Sequence, residues 1–289
     1  MSKASYCHKT KRVIYTPEST IRHPLILLKV MWRDLLASRE LAWRLLVRDI
    51  SAQYRQSFFG VLWAFFPPII TALGLVIAKN TGAVNIGNTD IPYPAYVMFS
   101  MSLWQTFVEA LNSPLAAVNA AKPMLAKINF PREAIILAKL GEVFFNFSIK
   151  LILIFGLFVW FKIPITWSAI LAPVALIHLV ILGTGIGLLL APFGALYGDV
   201  GRLIPIIVAP WLLLTPVIYP VPKQGWFSVV VNWNPVTPLL VTVRDLATTG
   251  VVSDPTRFWL VSGLSFALLL VAWILYRLSM PFIIERMSS

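Results

Sequence analysis

Six stretches of this chain are apolar for about as long as a lipid bilayer is thick, and that constrains the fold more than anything else in it. A helix needs about 20 mainly apolar residues to cross roughly 30 Å of hydrocarbon. Runs of that kind cover residues 61–78, 95–118, 134–161, 167–192, 203–219 and 258–280, the fifth being the shortest. Hydrophobic residues make up 58% of the 289 and charged residues 12%, about half the charged share of a soluble domain. With no water in the bilayer core, only helices or closed barrels satisfy the backbone there. Runs this long and continuous predict helices. The expected fold is all-α and integral to the membrane, with six spans between residues 61 and 280.

Charge sets the expected orientation. The net charge is +12, and eleven of the 24 lysines and arginines precede the first apolar run. In a soluble chain such an excess suggests nucleic acid. Beside a membrane segment it marks the cytoplasmic side and meets anionic headgroups. With the N-terminus inside, Lys122, Lys127, Arg132, Arg202, Arg277 and Arg286 also fall inside. Lys79, Lys162, Lys223, Arg244 and Arg257 fall outside. Both termini are expected in the cytoplasm, with no nucleic-acid partner. The first 60 residues carry no short apolar stretch of the signal-peptide kind, so the first span is expected to act as its own insertion signal. The single cysteine, Cys7, excludes an intrachain disulfide and a sulfur-based zinc site.

Two segments fit neither a span nor a plain loop. Residues 1–23 read as a basic cytoplasmic tail, and residues 24–57 that follow have helical periodicity. Leu28, Met31, Trp32 and Leu35 share one spacing; Trp43, Leu46, Val47, Ile50 and Tyr54 share another. Arg44, Arg48, Ser51 and Arg55 form a separate polar stripe. That pattern predicts amphipathic helix lying in the inner interface. Leu41 and Leu45 fall outside the apolar stripe, which suits packing on protein. The second misfit is 220–257. Its apolar pieces are too short to span, and Pro220, Pro222, Pro235 and Pro238 break any continuous helix. Two half-helices re-entering from the outer face would fit, and so would an amphipathic outer loop.

No catalytic cluster emerges. His8 and His23 lie in the tail; His178 is alone in the fourth run, where a bond to a neighbouring helix is expected over metal binding. No glycine-rich loop ending in Lys-Ser or Lys-Thr exists to cradle phosphate. Charges at membrane depth are expensive and therefore functional candidates. Glu109, Glu142 and Lys150 are such residues; Lys139 can reach the inner end, and its i,i+3 spacing lets it pair with Glu142. Aromatic residues are 13% of the chain, including 11 Trp, and a minority can line a path for sugars.

Four blocks then resemble one family. Tyr54-Arg55-Gln56-Ser57-Phe58-Phe59-Gly60-Val61-Leu62-Trp63 with Pro67 looks like the entry to the first span in membrane subunits of polysaccharide-exporting ABC transporters. Leu103-Trp104, continuing through Asn119 to Lys127-Ile128-Asn129-Phe130-Pro131-Arg132, resembles their second span and following loop. Asp199-Val200-Gly201-Arg202-Leu203-Ile204-Pro205 with Leu214 to Pro220, and Trp233-Asn234-Pro235-Val236-Thr237-Pro238 with Arg244-Asp245, complete the order over about residues 40–250. The Arg-Asp pair frequent before the fifth span in that family reads Gly198-Asp199 here.

The resemblance implies a homodimeric permease subunit paired with two copies of a separate ATP-binding subunit. That partner would hold ATP and Mg, and this chain no cofactor or metal. It implies an interfacial N-terminal helix, six spans, and a re-entrant gate bearing Tyr219, Trp233, Asn234, Pro235 and Arg244. It implies an ATPase-coupling loop with Asn119, Lys122, Lys127, Phe130, Pro131 and Arg132. The substrate class is a glycan on an undecaprenyl-type lipid. Its headgroup would meet Arg44, Arg48, Tyr54 and Arg55, and Trp104, Glu109, Glu142 and Lys150 are candidates for the channel. The location implied is the bacterial cytoplasmic (inner) membrane. An ABC exporter subunit for a drug or small lipid, and a membrane-embedded glycosyltransferase, are the competing readings.

Overall fold

A computed structural model describes residues 24–55, 60–82, 87–125 and 130–288. Their regular secondary structure is all helical, with no strand among the described residues. In order they form α1 (Pro24–Ala37), α2 (Arg39–Arg55), a 3-10 turn (Gly60–Ala64), α3 (Phe66–Asn80), α4 (Tyr93–Leu125) and α5 (Glu133–Trp160). A second 3-10 turn (Trp167–Leu171) leads into α6 (Ala172–Leu196). Then come α7 (Asp199–Leu214), α8 (Trp226–Trp233), α9 (Val236–Thr248) and α10 (Pro255–Ser288). The expected tail, 1–23, lies outside the described residues.

Among the described residues, three helical stretches are long and apolar enough to cross a membrane: Glu133–Trp160, Trp167–Leu196 and Pro255–Arg286. The other three expected spans take different forms. The first begins later than position 61, because Pro67 and Pro68 occupy the first helical turn of α3. Its 15 residues rise roughly 22 Å, short of the hydrocarbon thickness. The fifth is displaced: α7 stops at Leu214 because Pro216 forces Thr215 into an extended conformation. The second is longer than expected. α4 runs 33 residues, through Pro114 and Pro123, so Asn119 and Lys122 sit on its last turns and not in a loop.

α4 is the axis of the bundle. Every residue from Ala95 to Trp104 is buried, serines included. A helix sheathed in protein can carry Ser100, Ser102 and Thr106 because each hydroxyl has a partner: Ser102 and Thr106 donate to carbonyls one turn back, and Ser100 accepts from Arg244. α6 packs against it at backbone distance. A Cβ on Gly187 would lie 2.0 Å from the Leu111 carbonyl oxygen, and one on Gly183 would lie 2.8 Å from that of Phe107. These glycines, one turn apart, are the small-residue ridge that lets two apolar helices approach without a hydrophobic driving force.

The outward faces invert the pattern of a water-soluble protein. Ile152, Phe155 and Val159 of α5 are exposed, as are Ile206, Ile207 and Leu213 of α7 and Trp259, Leu260 and Leu264 of α10. Such continuous apolar surface suits lipid.

The N-terminal segment is two helices meeting at Ser38, whose hydroxyl donates to the Asp34 carbonyl at 2.6 Å. Part of each expected apolar stripe faces outward, and residues beside it pack on protein. Leu27, Met31 and Asp34 are buried on α1, while Leu28 and Trp32 are exposed. On α2, Ala42 and Leu45 are buried, while Trp43 is 65% exposed and Val47 46%. Leu45 packs on protein, as its position off the stripe suggests, and Leu46 nests over Gly141 of α5. An amphipathic helix has a face for lipid and a face for protein, and apolar spacing alone does not say which is which.

Candidate functional site

Polar side chains gather in three places along the bundle. The first is at the Tyr93 end of α4, where the chain leaves α7. The irregular segment after Leu214 would leave carbonyls unpaired in an apolar setting, at a cost of about 1–3 kcal/mol each. Side chains from other elements cap them. Tyr96 Oη donates to the Tyr219 oxygen at 2.8 Å and lies 3.3 Å from that of Pro216. Tyr93 Oη donates to the Ile218 oxygen at 3.1 Å. Tyr219 Oη turns back to the Leu213 oxygen at 2.7 Å.

Arg244 of α9 closes this clasp. It is 7% exposed. Its Nη1 donates to Tyr96 Oη at 2.7 Å, to the Pro216 oxygen at 3.1 Å and to Ser100 Oγ at 3.2 Å. Its guanidinium stacks 4.4 Å from the Tyr96 ring centre. Asn234 holds the other side. Pro235 keeps it extended, so α8 and α9 break there. Its amide nitrogen donates to Thr215 Oγ1 at 2.8 Å and to the Leu214 oxygen at 3.2 Å. Its amide oxygen accepts from the Trp211 indole at 3.0 Å and from the Val236 N–H at 3.1 Å. The neighbouring Asp245 accepts from Ser253 Oγ at 2.5 Å, pinning the turn into α10. Of the predicted gate residues, Tyr219, Asn234, Pro235 and Arg244 thus meet in one clasp. Trp233 points away, 84% exposed.

The second gathering is midway along α4. Glu109 Oε1 accepts from Lys150 Nζ of α5 at 2.5 Å, and Asn146 Nδ2 lies 3.5 Å from the other carboxylate oxygen. The Lys150 side chain is 3% exposed and that of Glu109 33%. Trp104, a channel candidate, is 4% exposed and packs edge-on against Trp211 at 6.2 Å, within the core of this chain.

The third gathering is at the Leu125 end of α4. Arg277 of α10 bridges two carboxylates on two other helices. Its Nη1 donates to Glu133 of α5 at 2.9 Å, and its Nη2 to Asp34 of α1. All three side chains are less than one-fifth exposed. Beside this clamp, Lys139 holds both Glu142 at 2.5 Å and Asp49 of α2 at 3.4 Å. Phe130, Pro131 and Arg132 lead directly into Glu133. Lys127 lies outside the described residues.

The predicted headgroup residues are solvent-side. Arg44 pairs with Glu40 at 2.6 Å, and Arg48 with Asp49 at 2.8 Å, their side chains 74% and 63% exposed. Arg55 is exposed at the end of α2; the Tyr54 side chain is outside the described residues. His178 departs from its expected bond to a neighbouring helix. Its Nδ1 lies 2.9 Å from the Val174 oxygen of its own helix, and its ring meets Phe258, Trp259 and Phe266 of α10. Among the described residues no His, Cys, Asp and Glu group is placed to hold a metal.

Sequence reasoning missed Tyr93, Tyr96 and Ser100 in the clasp and Asp34, Glu133 and Arg277 in the clamp. One signal existed for the clamp. Acidic residues number only 12, so an aspartate and a glutamate on apolar helices invite a search for a cation.

Residues 40–247, from α2 to the end of α9, match the ABC-2 type transporter family. The chain belongs to that family. Within it, this permease is similar to the O-antigen export system permease protein RfbA of Myxococcus xanthus, 24% identical over 246 residues, covering 83% of this chain and 92% of that one. It is 26% identical over 213 residues to RfbA of Klebsiella pneumoniae, covering 71% and 79%. It is 23% identical over 252 residues to the polysialic acid transport protein KpsM of Escherichia coli, covering 81% and 91%. The clasp lies inside the matched segment; Asp34 and Arg277 of the clamp lie outside it.

Proposed function

We propose that this permease is the membrane subunit of an ATP-driven exporter of lipid-linked polysaccharide in the bacterial inner membrane. The carrying observation is a family match across most of the bundle, with polysaccharide-export permeases as full-length relatives. Two copies form the conduit at their interface, because a polymer is too long for an alternating-access pocket. Two ATP-binding subunits drive it, holding ATP and Mg. Six crossings place both termini in the cytoplasm, with α1 and α2 along the inner interface. α8 and α9 re-enter from the outer face, a reading supported by their broken helix axis and the dense capping of the clasp. Broken backbone at membrane depth survives where protein or a polar cavity surrounds it.

The segment 119–132 docks on the ATPase, with Phe130-Pro131 as a rigid apolar knob. Arg44, Arg48 and Arg55, exposed on α2, attract the phosphates of the lipid carrier. Since the family is one of transporter permeases, the glycosyltransferase alternative loses its ground. Deleting the gene tests the reading. Long lipid-linked glycan should accumulate inside the cell and vanish from the surface. Unchanged surface glycan, or loss of efflux of a drug or small lipid instead, overturns it.

A further inference from the structure

α4 is closed all round from Ala95 to Trp104, and below that one face opens. Gln105, Glu109, Asn112, Ala116 and Asn119 are at least partly accessible and follow each other at three- and four-residue steps. They form a stripe of polar and small residues, bordered by the partly accessible Val108. α5, antiparallel to α4, carries Lys139, Glu142, Asn146 and Lys150 at the same steps. The two stripes are joined at Glu109–Lys150, 2.5 Å apart. A cavity at the Leu125 end is lined by Arg48, Asp49 and Lys139 on one part and by apolar side chains that include Leu45, Met124 and Ile135 on the rest. Glutamate, glutamine and asparagine on an accessible stripe at membrane depth do not face lipid tails. They line water or another polar occupant.

The charges along this line cancel. Arg48 pairs with Asp49, Lys139 with Glu142 and Asp49, and Lys150 with Glu109. Three cations meet three anions. An acidic polymer would lose its hydration here and gain no net positive field. An uncharged polymer loses little, and amides and paired carboxylates accept and donate hydrogen bonds to its hydroxyl groups.

We infer that the facing stripes of α4 and α5 are a charge-cancelled polar track, closed at its Tyr93 end by the clasp, which takes an uncharged, hydroxyl-rich sugar chain. Gln105 and Asn112 contact the sugar, and Lys150 is a positioning residue that keeps Glu109 neutralised. This rests on the polysaccharide-export reading and adds which chemical class of glycan passes and where.

The test uses the full permease with its ATPase subunit in lipid nanodiscs, with Cys7→Ser and one new cysteine at a time. A water-soluble maleimide reacts with thiolate, which forms in water and is suppressed in apolar surroundings. Asn112→Cys and Ala116→Cys should label at least about tenfold faster than Ile152→Cys on the apolar outside of α5 or Ala110→Cys in the core. An uncharged glucose oligomer should slow labelling at position 112, and a uronic-acid oligomer of equal length should not. Adding Glu109→Gln leaves Lys150 positive and should let the acidic oligomer protect as well; a merely structural pair would not change that preference. Labelling at 112 and 116 no faster than at 152, as when a second copy seals the face, overturns the track. Equal protection by both oligomers before the Glu109 change overturns its selectivity. If the export reading itself fails, the deletion strain keeps its surface glycan; if only the track fails, that strain still accumulates lipid-linked glycan.

Discussion

The clasp and the clamp hold opposite ends of one bundle by opposite means. At the Tyr93 end, Arg244 reaches hydroxyls and a backbone carbonyl, and two tyrosines and an asparagine cap the rest. At the Leu125 end, Arg277 reaches two carboxylates on two helices. The difference follows from what each end has to satisfy. Where α7 breaks at Pro216, the unmet groups are main-chain carbonyls, so the partners are neutral donors and a single cation. Where α1, α5 and α10 converge, whole helices are tied by charge.

The largest expected effect comes from removing the clamp's centre. Arg277→Leu strands two carboxylates at 12% and 8% side-chain exposure and should cost about 3–5 kcal/mol. Thermal unfolding in detergent measures this, and adding Asp34→Asn with Glu133→Gln should recover most of it. If Arg277→Leu is neutral, the clamp is ornamental and the comparison fails.

Arginine-to-lysine exchanges sharpen the contrast. Arg277 uses two separate nitrogens on two acceptors, a fork that an ammonium does not reproduce. Arg244 makes its hydrogen bonds through Nη1 alone. Arg277→Lys should therefore cost about 1–3 kcal/mol, and Arg244→Lys about 1 or less, in the same melt. A reversed order would contradict the distinction.

Tyr96→Phe removes one hydroxyl that both accepts from Arg244 and caps carbonyls. It should cost about 1–2 kcal/mol and speed hydrogen exchange at the amides of 217–219 while leaving those of α1 unchanged. The smallest effect belongs to Arg44→Gln. That pair is exposed on both sides, so stability should move by less than about 0.5 kcal/mol, and less at high salt.

Much of the fold was legible in the sequence because prolines and long apolar runs act locally. Pro235 marks the break between α8 and α9, and the runs at 134–161 and 167–192 become α5 and α6 nearly as written; Pro216, inside the expected fifth run, was passed over. Lys139 and Glu142 could be paired from their spacing alone. The clamp was not legible, because Asp34 and Arg277 stand 243 positions apart and nothing local marks either as a partner of the other. The faces of α2 were partly legible: Trp43 and Val47 lie on the expected apolar stripe and are exposed, while Leu45, off that stripe, is buried against protein. α4 outran its predicted end because Ala120 and Ala121 continue the helix after the apolar run is over.

Reconstitution tests the central claim most directly. The permease and its ATPase subunit, placed in sealed vesicles with the ATPase outside, should move lipid-linked glycan added from outside into the lumen when ATP and Mg are supplied. Glycan that becomes resistant to an external glycosidase only with hydrolysable ATP is the predicted result. Glycan that stays fully digestible while the complex hydrolyses ATP at full rate would contradict it.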